Sequence, residues 1–105
     1  MKNKATNALI EMGMPADIRG FKYIVDAMQM FEDKTVRTGK ITTLYSEIAK
    51  LHDTTASRVE RAIRHAFGRV ILKGDLSIVE KYLTLQSTTN GNLLHVFYLR
   101  LTQEE

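Results

Sequence analysis

Three arginines and a histidine recur within eight residues, at Arg58, Arg61, Arg64 and His65, with Ser57 and Glu60 set among them. A guanidinium is a planar fork that donates two hydrogen bonds to the O6 and N7 of guanine, or one to a phosphate oxygen. Glu60 stands out in such company. An anion beside phosphates is unfavourable unless it accepts from cytosine N4 or steers a neighbouring arginine, and its spacing also suits an ordinary i,i+4 pair with Arg64 or a cap. Immediately upstream, Thr54, Thr55 and Ser57 offer hydroxyls either to phosphates at a helix N-terminus or to the helix itself as caps.

These side chains need a rigid element, and the apolar spacing supplies one. On a 100° wheel Val59, Ala62, Ile63, Ala66, Phe67 and Val70 share one face. Ser57, Arg61, Arg64 and His65 lie opposite, with Arg58 at the edge. The helix runs to about Lys73, where Gly74 takes the position of a C-terminal stop. Its start is open by one turn, between a Thr54 cap and an S-x-x-E box of Ser57 and Glu60. Gly68 sits on the outward face, where its lack of side chain fits either the close approach of another surface or a kink.

Just before it, Leu44, Tyr45, Ile48 and Leu51 form the stripe of a short helix over Thr42 to Leu51. Two helices, a tight turn between them and a cationic outer face on the second make a helix-turn-helix, whose second helix enters the DNA major groove. Small residues at Ala49 and Ala62 predict a close approach of the pair. Elsewhere the spacing predicts a first helix over roughly residues 3 to 13, ending at Gly13 before Pro15, and a second from about Ala16 to Asp33 with an irregular start at Gly20. Leu76 to Leu83 reads as a fifth helix and Gln86 to Asn92 as a loop. Leu93 to Leu101 is an apolar segment that suits a helix or, through Val96-Phe97-Tyr98, a strand. The expected fold is all-α, with about six helices, the third and fourth forming the helix-turn-helix.

The chain has 105 residues, 44% of them hydrophobic and 26% charged, with one proline and six glycines, which predicts a single domain over 1–105. There are no cysteines, so stability must come from packing rather than disulfides. No apolar run approaches the roughly 20 residues of a bilayer span, and the opening MKNKATNALIEMG is too polar for a secretory signal. A cytoplasmic protein is expected. The net charge of +3 is unevenly spread: residues 1–33 carry −1, residues 34–73 carry +6 and residues 74–105 carry −2. A basic middle of this kind is the electrostatic footprint of a polyanion binder. His52, His65 and His95 lack metal-ligand spacing, and no catalytic grouping or phosphate-cradling glycine loop is visible, so neither an enzyme nor a cofactor or metal site is predicted. His52 reads as a turn residue and His95 as a surface or partly buried one.

The string Thr54-Thr55-Ala56-Ser57-Arg58-Val59-Glu60-Arg61-Ala62-Ile63-Arg64-His65-Ala66, preceded by Glu47-Ile48-Ala49-Lys50, resembles the recognition motif of the C-terminal DNA-binding domain of the sporulation initiation response regulators of endospore-forming bacteria. Met14-Pro15-Ala16-Asp17-Ile18-Arg19-Gly20-Phe21 and Tyr23 resemble that domain's first conserved segment, so the similarity spans most of residues 5 to 74. The resemblance implies a six-helix effector domain that binds short double-stranded promoter boxes, often as tandem copies, and contacts RNA polymerase through its sigma factor; a monomer in solution that pairs in tandem on DNA is expected. It makes Arg58, Glu60 and Arg61 candidate base readers and Arg64 and His65 base or phosphate contacts, with Thr55 and Ser57 beside them.

Ser46 stands where the family usually has proline, the segment before it is one residue shorter, and residues 75 to 92 match poorly. The resemblance therefore speaks more directly for DNA binding than for polymerase contact. No phosphoacceptor receiver domain lies within these residues, which predicts binding to related boxes without phosphorylation control, as an autonomous regulator or a competitor. The rival expectation is a protein-interaction module whose basic face binds an acidic partner, such as a polymerase subunit or the full-length regulator.

Overall fold

Glycine and proline punctuate the first helix as the sequence predicts. In a computed structural model that describes residues 1–103, α1 spans Lys2–Met12. Gly13 ends it at φ 94°, where its N–H donates to Ile10 O and that of Met14 to Leu9 O, the double closure of a Schellman turn. The second helix, α2, spans Arg19–Glu32, three residues later than the spacing suggests. Ile18 is extended, at ψ 145°, so the helix cannot begin before Arg19. It is closed by the same kind of turn, with Lys34 at φ 60° in the position that favours glycine.

The next two helices are α3, Ile41–Leu51, and α4, Ala56–Lys73. Then come α5, Leu76–Tyr82, and α6, Asn90–Gln103. The described residues contain six helices and no strand. The ambiguous last segment is helical because Leu93, Leu94, Phe97 and Leu101 are all buried, a spacing that only a 3.6-residue period brings to one face. It begins at Asn90, inside the stretch expected to be loop.

Among the described residues every fully buried one is apolar. Leu9, Met12, Ile24, Met28, Leu44, Ile48, Ile63, Phe67, Leu93 and Phe97 form one core shared by α1, α2, α3, α4 and α6. Leu51, expected in the α3 stripe, is 64% exposed instead. It is the last residue of its helix, beyond the neighbours that cover Leu44 and Ile48.

Two glycines decide how the helices meet. A Cβ on Gly20 would lie 2.3 Å from the carbonyl oxygen of Ala62 and 2.6 Å from the Ala66 Cβ. Only a bare Cα lets the first turn of α2 press onto the middle of α4. The irregularity expected at Gly20 is therefore a close helix crossing, and Ala62 receives α2. At the C-terminal end of α4, a Cβ on Gly74 would lie 2.6 Å from Met12 O, so the ends of α1 and α4 are held together by the same device.

Candidate nucleic-acid interface

Between α3 and α4 lie only residues 52–55, and the two helices pack against each other. The turn is built locally. His52 N–H donates to Ile48 O and Thr54 N–H to Ala49 O, with Asp53 between them at φ 50°. Aspartate enters this left-handed region more readily than a branched or bulky residue would. The turn is also tied to α2: the His52 ring pairs through Nε2 with the Asp26 carboxylate and stands edge-on to Tyr23, with ring centroids 5.1 Å apart. Lys2 Nζ approaches the other Asp26 oxygen at 3.6 Å.

The start of α4 is settled by a residue between the two expected ones. Thr55 is the N-cap, its hydroxyl accepting from the N–H of Arg58 at 3.3 Å. Thr54 makes no cap; its hydroxyl oxygen is buried without a partner among the described residues. Ser57 is exposed in the first turn, leaving its hydroxyl at the surface.

Along α4 the expected division of faces holds. Val59, Ile63, Ala66, Phe67 and Val70 are buried, and Ser57, Arg58, Arg61, Arg64 and His65 are exposed. Among the described residues neither Arg58 nor Arg61 has a carboxylate partner. Glu60 is half-buried and accepts from Arg64 at 2.7 Å, a charge-assisted i,i+4 bond that fixes one guanidinium. Gly68 has open space where a Cβ would stand, and α4 runs through it unbroken. Neither a neighbouring part of the fold nor a break in the helix accounts for it.

Three contributors were not singled out from the sequence. Asn90, at the start of α6, donates through Nδ2 to the backbone oxygen of Glu60 at 3.0 Å and to the Tyr45 hydroxyl at 3.1 Å, clamping α4 to α3 and α6. Burial pushes the Tyr45 phenol above its ordinary pKa, against the opposing hydrogen bond from Asn90. Asp26 anchors the turn through His52. Arg19, exposed at the first position of α2, lines the same open groove as Arg61, Arg64 and His65. None of these links spans fewer than 26 residues of sequence, which is why no local pattern announces them.

Residues 5–101 match the family described as "Sporulation initiation factor Spo0A C terminal". The chain belongs to that family. The match runs past residue 74, where the motif resemblance ends, through α5 and most of α6. The Spo0A C-terminal family is one of DNA-binding effector domains of the sporulation regulator, not of enzymes. Among the described residues of this Spo0A-type domain, no helix is long and apolar enough to cross a membrane.

Proposed function

We propose that the protein is a sequence-specific transcription regulator that reads the DNA major groove with the exposed face of α4. The observation that carries this reading is the polar face of one helix: the guanidinium groups of Arg58, Arg61 and Arg64, with the His65 imidazole beside them, face outward while the opposite face is locked into the core. Arg58 and Arg61, near the helix start, are the base readers, because recognition helices contact base edges with their N-terminal residues. Glu60 orients Arg64 and accepts from cytosine where it reaches a base edge. Thr55 and Ser57, at the positive end of the helix, hold a phosphate. Family membership supports DNA binding; tandem copies on the box and a contact with the sigma factor are part of the same proposal.

In vitro selection from random duplexes, followed by titration of the selected box, tests the proposal. Replacing Arg61 with Ala should cost about 1–3 kcal/mol on that box and relax the preference at one base position. An equal loss on random and selected DNA would show that Arg61 touches only phosphate. No enrichment of any sequence would end the reading.

A further inference from the structure

We infer that Arg19, on α2, completes a seat for a DNA phosphate together with the flank of α4, so that the interface extends beyond the helix-turn-helix to a third helix. The inference rests on the proposal that α4 lies in the major groove.

The groove is open, about 480 Å³, and is lined by Ile18, Arg19 and Gly20 from α2 and by Arg61, Ala62, Arg64 and His65 from α4. No carboxylate lines it. The nearest acidic group on α4, Glu60, is engaged by Arg64. Arg19 has no carboxylate partner among the described residues, and both Arg19 and His65 are exposed. An isolated surface arginine is ordinary; here, cations from two separate helices converge on one concavity.

The geometry that brings them together is costly to build by chance. Gly20 must be bare for α2 to reach Ala62 at all, and that contact sets Arg19, the residue before it, against the flank of the recognition face. The first turn of α2 also brings its positive end to the groove. A helix lying in the major groove has a sugar-phosphate strand running along each side. A cationic concavity beside Arg61 and His65 faces such a strand, and Arg19 suits it because a guanidinium bonds phosphate oxygens without regard to base identity.

The test is the salt dependence of binding to the selected box, for the 105-residue protein and its Arg19→Gln, Arg19→Lys and Arg61→Ala variants, with helical content checked by circular dichroism. One lost phosphate contact lowers the slope of log K against log salt by about 0.9. Arg19→Gln should therefore bind about eightfold more weakly at 0.1 M salt and only about twofold more weakly near 0.5 M, equally on selected and random duplexes. Arg19→Lys should restore the slope.

Wild-type slope and affinity in Arg19→Gln, while Arg61→Ala still loses affinity, would overturn the phosphate seat and leave the α4 reading standing. A loss confined to the selected box would also overturn it, since that marks a base contact. If the wild-type protein enriches no sequence, or Arg61→Ala binds as well as wild type, the α4 reading fails and takes the seat with it.

Discussion

Replacing Gly20 with Ala should destabilise the domain even though alanine is the better helix former. In an exposed helix interior the change gains roughly 0.5–1 kcal/mol from reduced chain entropy. Here the new methyl would start 2.3 Å from Ala62 O, 2.9 Å from its carbonyl carbon and 2.6 Å from the Ala66 Cβ. Ordinary contacts between such atoms begin at about 3.5 Å, so α2 and α4 must part by at least about 1 Å along their crossing. The obstacle is backbone, which cannot swing aside as a side chain does. Overpacking of this kind costs about 1–3 kcal/mol, and the rigid obstacle places it towards the upper end, for a net loss of about 2 kcal/mol. Urea denaturation should show the midpoint falling by roughly 1 M at unchanged slope, and thermal melting a fall of roughly 10 °C. Gly68→Ala is the internal control: its Cβ meets open space, so it should be stabilised by roughly 0.5–1 kcal/mol. A Gly20→Ala protein as stable as wild type would refute the close crossing of α2 and α4, and with it the placement of Arg19.

Three further outcomes follow from the polar contacts. Asn90→Ala removes hydrogen bonds to Glu60 O and to the Tyr45 hydroxyl, so stability should fall by about 1–2 kcal/mol in urea titrations. The Tyr45 phenol should then titrate at still higher pH in ultraviolet absorbance, because the bond that lowers its pKa is gone. Asp75 caps α5, accepting from Ser77 N–H at 3.1 Å and from the Ser77 hydroxyl at 2.7 Å, and the side-chain bond holds its carboxyl below the ordinary value. A depressed carboxylate contributes stability that is present above its unfolded pKa and lost as the pH falls through the folded one. Asp75→Asn keeps a capping oxygen but cannot titrate, so the acid limb of its stability curve should be shallower than that of wild type.

What was legible in the sequence was periodic or local. The two faces of α4 follow from Val59, Ile63, Ala66, Phe67 and Val70 recurring against Arg58, Arg61 and Arg64, and burial bears that division out. Gly13 and Gly74 marked helix ends correctly. The start of α4 was readable only to within a turn, because Thr54, Thr55 and Ser57 are all competent caps and only the fold selects Thr55. The start of α2 was misplaced because a helical period continues through Ile18, whose extended backbone breaks it. Leu51 illustrates the opposite limit: its register is right for the core, but nothing covers the last turn of α3. Most hidden were Asn90 to Glu60, His52 to Asp26 and Gly20 to Ala62, each joining distant stretches of chain that no local window contains.

The helix α2 braces the α3–α4 hairpin twice, at its beginning through Gly20 against Ala62 and near its middle through Asp26 on His52. The angle of α4 is thus imposed from behind, by residues that take no part in its outward face. On the proposed reading, Arg58, Arg61 and His65 are then an interchangeable typeface on a fixed press: a chain that keeps the bracing pair could swap those letters and address a different operator without rebuilding the frame that holds them.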